Sequence, residues 1–154
     1  MKIRSQDQEI MRDLLDHLKN STEVIEVPVA AAVYDQDQNK VSVAQNLREL
    51  TSDPSAHAEI VALRKAGQIN SNWNLEGFSL YVTLEPCLMC AGAILQSKIN
   101  RVIFGAFNSE TSTQSSVELL RNGNPQLEVV GGVNEDECST FLTQWFSEQR
   151  KIKR

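Results

Sequence analysis

The chain has 154 residues, of which 41% are apolar, and its 15 basic and 20 acidic residues give a net charge of −5. This length predicts one domain, residues 1–154, with a single buried core, and the acidic balance does not favour nucleic-acid binding. Three cysteines fit no disulfide framework and indicate a reducing compartment. The chain start has no apolar core typical of a signal peptide, and no apolar run approaches the roughly 18 residues of a membrane span, so we expect a cytoplasmic protein without membrane association.

The first elements are a helix and a hairpin. The run of residues 27–34 predicts a buried strand, and residues 40–45 predict its hairpin partner across the polar turn 35–39. Before them, apolar residues recur at helical spacing and predict a first helix, at Ile10, Met11, Leu14, Leu15 and Leu18.

The next predicted element is a helix over residues 52–67, with recognisable start and stop signals. Asp53 or Ser55 can cap its start, and Pro54 suits its first turn. Gly67 is expected to end it, because glycine readily adopts the backbone conformation that follows a helix.

The second half continues the alternation of strand and helix. Residues 78–84, 101–106 and 127–133 predict strands, and residues 85–99 predict a helix that opens on Pro86. A final helix carries an apolar stripe that we expect to face the core, formed by Cys138, Phe141, Leu142, Trp145 and Phe146. The sum predicts a layered α/β domain, a sheet with helices on both faces.

Two cysteines at the start of one predicted helix carry the first chemical signal. Pro86 places Cys87 and Cys90 in the first turn, where residues three apart share a face and the helix dipole favours thiolate. Such a pair can be a redox dithiol, half of a structural zinc knuckle, or two ligands of a catalytic zinc. The pair alone does not decide among these readings.

A histidine at the start of another predicted helix favours the catalytic zinc. His57 can join Cys87 and Cys90, because helix starts that follow sheet strands converge at one sheet edge. Three protein ligands leave a position for water, whereas a structural zinc takes four. Glu59 is then the candidate proton carrier, provided that the metal lies over the helix start.

These residues form a recognisable pattern. "HAE" at 57–59 and "PCLMC" at 86–90 are similar to the H-x-E … P-C-x-x-C signature of zinc-dependent nucleoside and nucleobase deaminases. Four longer segments, spread over nearly the whole chain, resemble the bacterial tRNA-specific adenosine deaminase family: "EVPVAAAV", "DPSAHAEIVALRKAG", "LYVTLEPCLMCAGAILQSKINRVIFGA" and "DECSTFLTQWFSEQR".

The resemblance implies a fold, an assembly and a reaction. The fold is the three-layer α/β/α arrangement of cytidine deaminases, with a mixed sheet of about five strands and helices on both faces. The assembly is a homodimer with one Zn²⁺ per subunit. The reaction is hydrolytic deamination of adenosine to inosine at the wobble position, with a tRNA anticodon stem-loop as the partner.

The resemblance also implies roles for individual residues. His57, Cys87 and Cys90 match the zinc ligands, and Glu59 matches the residue that carries the proton. Asn46 matches an asparagine that contacts the flipped base. Further substrate-binding candidates surround this set: the backbone of Ala58 and Leu84, with Val27, Phe107 and Asn108.

Three segments depart from the family pattern. Ala30 replaces a usual glycine, and "AQNLRE" around Asn46 replaces "GWNR". "FNSETS" at residues 107–112 replaces a segment with basic residues, which weakens phosphate contacts, although Phe107 offers a face on which a base can stack. A dimer could instead gather Lys98, Arg101 and the basic residues 150–154 along one RNA-binding groove.

Other functions compete with tRNA deamination. The acidic charge and the altered segment 107–112 favour a small-molecule deaminase acting on guanine, cytosine or a related base. A non-enzymatic zinc-stabilised module has no use for Glu59. A redox dithiol leaves both His57 and Glu59 unexplained.

Overall fold

A mixed sheet organises the chain. The computed structural model describes residues 2–21, 25–108 and 115–153, so residues 109–112 of the altered segment and Arg154 of the basic tail lie outside the described residues. Five strands are found in the described ranges: β1 Ala30–Tyr34, β2 Lys40–Gln45, β3 Ser79–Leu84, β4 Arg101–Ala106 and β5 Glu128–Val130. The same ranges contain six helices: α1 Ser5–Lys19, α2 Arg48–Thr51, α3 Ala58–Asn70, α4 Leu88–Ser97, α5 Ser116–Gly123 and α6 Glu135–Ile152.

The strand order is β2-β1-β3-β4-β5. β1 is antiparallel to both β2 and β3, whereas β4 is parallel to β3 and β5. The predicted hairpin is therefore present, and the Asp35 carboxylate shapes its turn by accepting hydrogen bonds from the N–H groups of Asp37 and Asn39, each at 2.9 Å. The parallel pair β3–β4 is joined by α4, as a parallel connection requires.

Helices cover both faces of the sheet. On one face, α3, α4 and α5 pack on alternate strand residues such as Val33, Leu80 and Val102. On the other face, α1 and the start of α6 pack on Ala32, Tyr81 and their neighbours. The predicted three-layer α/β/α fold is confirmed. In the described ranges, no helix combines the length and the apolar character needed to cross a membrane.

The helix predicted for residues 52–67 is shifted towards the C-terminus. α3 begins at Ala58, with His57 as its N-cap, and continues through Gly67 to Asn70. The Asp53 carboxylate accepts hydrogen bonds from the N–H of Ser55 at 2.9 Å and from its hydroxyl at 2.7 Å, so it forms a turn before the helix and does not cap it. The predicted roles of Pro54 and Gly67 at the ends of this helix are therefore wrong.

The apolar stripe of α6 is only partly a core element. Cys138 is 1% exposed and packs as predicted, but the stripe members that follow it are not fully buried, and Phe146 is 43% exposed. The start of α6 packs on the sheet, whereas the later turns extend beyond its apolar surface. The stripe does not face the core along its whole length.

Arg101 belongs to a buried ion-pair network. Its side chain binds both carboxylate oxygens of Asp7, at 2.7 and 2.9 Å, and Glu128 at 2.9 Å. Asp7 is 0% exposed and Arg101 is 7% exposed. The Asp7 carboxylate also accepts from the Tyr81 hydroxyl at 3.0 Å and from the Arg4 N–H at 2.8 Å. The hypothesis that Arg101 contributes to a basic RNA groove is therefore wrong.

We expect Asp7→Ala to lower the free energy of unfolding by about 3 kcal/mol, because removing one partner leaves a buried charge poorly compensated. Chemical denaturation measures this difference. Asp16→Ala is the matched control, since Asp16 is exposed on the same helix, and it should change stability by less than about 0.5 kcal/mol. Equal effects of the two substitutions would reject a structural role for this network.

The same network predicts a pH dependence. Burial would raise the pKa of Asp7, but its hydrogen bonds and charge interaction with Arg101 outweigh burial and leave the pKa below its usual value. A lowered pKa stabilises the fold above the unfolded-state pKa, and this stabilisation is lost as the pH falls through the folded-state pKa. The stability difference between wild type and Asp7→Ala should therefore shrink in acid.

Candidate metal centre and active site

Two helix starts meet on one face of the sheet. His57 is the N-cap of α3 and Cys87 is the N-cap of α4, both in extended backbone conformations. Cys90 and Glu59 follow in the first turns of these helices. The helix predicted from Pro86 thus begins at Leu88, and this shift still leaves the two cysteines side by side at its start.

Three potential metal ligands lie together here. The Nδ1 atom of His57 is 3.5 Å from the Sγ atoms of both Cys87 and Cys90, and the three ligand atoms all lie within 4.8 Å of one another. Zn–N bonds of about 2.0–2.1 Å and Zn–S bonds of about 2.3 Å at a tetrahedral angle separate N from S by about 3.5 Å. The donor set and its spacing therefore fit zinc.

The group contains no fourth ligand among the residues that the structure describes. Cys138 is buried beside the opposite face of the sheet, and His17 lies on the exposed side of α1. Three donors with one open position are typical of a catalytic zinc rather than a structural one.

The protonation of the group suits metal binding. A hydrogen bond with Cys90, aided by one with His57, lowers the pKa of Cys87 to about 4. The hydrogen bond with Cys87, together with burial, raises the pKa of Cys90, and the hydrogen bond with Cys87 raises that of His57. Cys87 is thus already a thiolate at neutral pH, and binding a metal displaces the remaining protons of the group.

Glu59 is a buried carboxyl group at the edge of the metal group. It is 4% exposed and lines the same cavity as His57 and Cys87. Burial raises the pKa of its carboxyl group, which favours a side chain able to accept and return a proton.

A cavity of about 400 Å³ opens over these groups. This volume suits a small organic group such as a nucleobase. Every substrate-binding residue predicted from the sequence lines it: Val27, Asn46, Ala58, Leu84, Phe107 and Asn108.

Asn46 is held in a defined orientation at the cavity wall. Its Nδ2 donates to the Val27 carbonyl at 3.3 Å, and its Oδ1 accepts from the Arg48 N–H at 3.2 Å. An amide group has two N–H donors and two acceptor lone pairs, so one of each is left by these two bonds. Asn46 can therefore offer both a donor and an acceptor to a ligand.

Glu85 is a cavity residue that the sequence analysis missed. Its Oε1 accepts from the Asn108 N–H at 3.0 Å, and its Oε2 accepts from the Ser116 hydroxyl at 3.1 Å. It therefore ties the segment after β4 to the start of α5. Its position between the end of a predicted strand and Pro86 was the sequence signal that could have placed Glu85 at the site.

The wall of the cavity that α6 forms was also missed. Ser139, Leu142, Thr143 and Phe146 bring one side of α6 to the cavity. Phe107 stands nearby, 54% exposed, with its ring edge-to-face on Phe104 at a centroid distance of 5.1 Å. The sequence showed the apolar stripe of α6, but part of this stripe faces the cavity instead of the core.

The chain is similar in sequence to known zinc-dependent deaminases. Residues 4–106 match the family model for the cytidine and deoxycytidylate deaminase zinc-binding region. The tRNA-specific adenosine deaminase of Haemophilus influenzae is 41% identical over 157 aligned positions, which cover 99% of this chain and 91% of the relative. The enzyme of the same name from Bacillus subtilis is 39% identical over 153 positions, covering 97% and 94%.

Solved structures give the same fold. One from a study of A-to-I editing by tRNA:A34 deaminases at the wobble position superposes with a TM-score of 0.69 at 29% identity, over 89% of this chain and 99% of that chain. A guanine deaminase from Nitrosomonas europaea superposes with a TM-score of 0.81 at 20% identity, over 94% and 86%. At that identity the second likeness concerns the fold alone.

Proposed function

The chain belongs to the zinc-binding cytidine and deoxycytidylate deaminase family, and we propose that it deaminates adenosine to inosine at the wobble position of tRNA. The observation that carries the proposal is the identity of about 40% to tRNA-specific adenosine deaminases over almost the whole chain. The cavity supports it, because a carboxyl group, a metal-binding group and an amide surround a space of nucleobase size.

The cofactor is zinc, held by His57, Cys87 and Cys90. When bound there, zinc acts as a Lewis acid that lowers the pKa of a water molecule towards about 7. The half-buried positions of His57 and Cys87 leave one side of the group facing the cavity, where a base can enter.

Glu59 carries the proton in this proposal. Its carboxylate accepts a proton from the attacking water and delivers it to the amino group leaving the purine ring. Water and adenosine then become inosine and ammonia, and Glu59 returns to its starting state.

Asn46 orients the base through its remaining donor and acceptor. The Ala58 and Leu84 backbone and the Val27 side chain bound the space beside it. Phe107 and Asn108 directly follow β4 and line the cavity. The exposed ring of Phe107 suits stacking on a neighbouring base.

The enzyme works in the cytoplasm as a homodimer of single-domain subunits. Residues 1–154 act as one deaminase domain in the cytoplasm, where thiol ligands stay reduced. Its assembly is a homodimer, for which Leu88 and Met89, exposed beside the metal group, are candidate contacts. Light scattering tests this assembly, and a monomeric mass at micromolar concentration would exclude it.

Product analysis by mass spectrometry tests the reaction. Zinc-loaded protein is offered an anticodon stem-loop with adenosine at the wobble position, and in parallel free adenosine, guanine and cytosine. We expect inosine in the stem-loop only. The matched control is the same stem-loop with its adenosine moved from the loop into the paired stem, which should remain unchanged.

One alternative outcome would redirect the assignment. Deamination of a free base without stem-loop turnover would identify a small-molecule deaminase, the function that the acidic charge of −5 favours. No turnover of any of these substrates by zinc-loaded protein would reject both assignments.

A further inference from the structure

We propose that Arg48 binds a phosphate group next to the target adenosine and so holds the RNA strand at the cavity mouth. This inference rests on the proposed function, because it names how that site grips a polyanion. Arg48 lines the cavity together with Asn46, and its side chain is exposed to solvent.

The charge distribution around the cavity singles out Arg48. Among the described residues that line the cavity it is the sole lysine or arginine, while Glu59 and Glu85 contribute carboxyl groups. A phosphate at the mouth of a cavity with these carboxyl groups needs a cation at the rim, since phosphate contacts supply much of the affinity for nucleic acids. The overall charge of −5 makes a local cation more important.

The Arg48 side chain is available for this contact. In the described ranges, none of the ion pairs or side-chain hydrogen bonds involves its guanidinium. The Arg101 guanidinium, by contrast, forms ion pairs with Asp7 and Glu128 inside the fold. A guanidinium that has no partner among the described residues and lies at a cavity rim can donate two parallel hydrogen bonds to a phosphate.

The backbone around Arg48 is fixed, although its side chain is not engaged. Its N–H donates to Asn46 Oδ1 at 3.2 Å, and its carbonyl accepts from the Asp53 N–H at 3.1 Å. Two residues on, the Leu50 N–H donates to Glu26 Oε1 at 2.6 Å, and Glu26 is only 4% exposed. The segment is therefore preorganised, which lowers the entropy cost of binding.

The position of Arg48 couples the phosphate to the base. Asn46, which we propose orients the base, is joined to the Arg48 backbone by a direct hydrogen bond. A nucleotide can thus present its base to the cavity and an adjacent phosphate to Arg48.

The test combines Arg48→Gln with RNA in which one phosphate is neutral. Stem-loops are made with a methylphosphonate linkage on the 5′ or the 3′ side of the wobble adenosine. We expect Arg48→Gln to lower kcat/KM for the normal stem-loop roughly 10-fold. One of the two neutral linkages should lower wild-type kcat/KM similarly, and Arg48→Gln should add little to that loss, because the two changes remove one shared contact.

Salt dependence gives a second readout. The slope of log Kd for the stem-loop against log salt concentration should become shallower by about one in Arg48→Gln. Arg12→Gln is the matched control, since Arg12 is exposed on α1 away from the cavity and its loss changes net charge equally. It should leave kcat/KM and the slope near wild-type values.

The outcomes separate this inference from the proposed function. Stem-loop deamination by the wild type with equal behaviour of Arg48→Gln and Arg12→Gln would overturn the Arg48 contact and leave the function standing. The contact is also overturned if Arg48→Gln and both neutral linkages act additively. A wild type that binds the stem-loop but does not deaminate it would reject the function, and the salt slopes would still decide the contact.

Discussion

Glu59→Gln is expected to lower kcat for stem-loop deamination by roughly 10³-fold while leaving the zinc content and the fold unchanged. The substitution keeps the shape of a side chain that is 4% exposed, but it removes the group that accepts and returns the proton. The measurements are inosine formation by mass spectrometry and zinc content by elemental analysis of the same preparation.

The control for this experiment is Glu9→Gln, which makes the same chemical change at an exposed position of α1. It should be as active as the wild type. A Glu59→Gln protein that retains its zinc and turns over at the wild-type rate would remove Glu59 from the mechanism. Loss of zinc in that variant would instead assign Glu59 to the metal site.

Cys87→Ser is expected to lose zinc and activity together. A serine hydroxyl does not ionise near neutral pH, whereas the Cys87 thiol, with its pKa lowered to about 4, is already the anionic ligand that zinc prefers. Metal binding contributes to folding, so the variant should also unfold at a lower temperature than the zinc-loaded wild type. Elemental analysis and thermal unfolding, each with and without a chelator, measure these effects.

Cys138→Ala provides the comparison for Cys87→Ser. Cys138 is buried on the opposite face of the sheet, and its thiol contacts no metal-binding side chain. Its replacement should cost about 1 kcal/mol of stability but retain zinc. Normal zinc content in Cys87→Ser would overturn the ligand assignment, and zinc loss in Cys138→Ala would indicate a general failure to fold.

The two experiments depend on different properties of the same site. The Cys87 substitution tests zinc binding, and the Glu59 substitution tests catalysis by the zinc-loaded site. A variant that separates zinc content from turnover is therefore evidence for the catalytic reading of the site. A structural zinc would leave Glu59 without a function.

The strands of the sheet and the meeting of His57, Cys87 and Cys90 could be predicted, because the sequence signals for both are local. A few residues suffice to predict each of these features: the apolar runs of β1 and β4, and the polar turn between β1 and β2. His57 and Cys87 stand directly at helix starts, so a shift of several residues in the predicted start of α3 did not separate them.

Boundaries and exposure were less predictable. Asp53 and Pro54 are typical of a helix start, yet Asp53 binds Ser55 in a turn before α3. α5 was not predicted, although Ser115 caps it locally by accepting from the Val117 N–H. Ser116 and Leu120 are its buried residues, and Ser116 is held there by a hydrogen bond to the distant Glu85. Short-range propensity does not report such long-range hydrogen bonds.

The sequence by itself predicted a layered α/β domain and a candidate zinc site, because periodicity, helix starts and ligand spacing are properties of short segments. The family was indicated by the resemblance of four long segments to known deaminases. Only the tertiary structure decided that Arg101 is buried with Asp7, that Arg48 stands at the cavity mouth, and that α6 supplies a cavity wall. The physical reason is that a sequence shows which side chains share a face, whereas the packing of distant segments decides whether that face meets protein, a cavity or water.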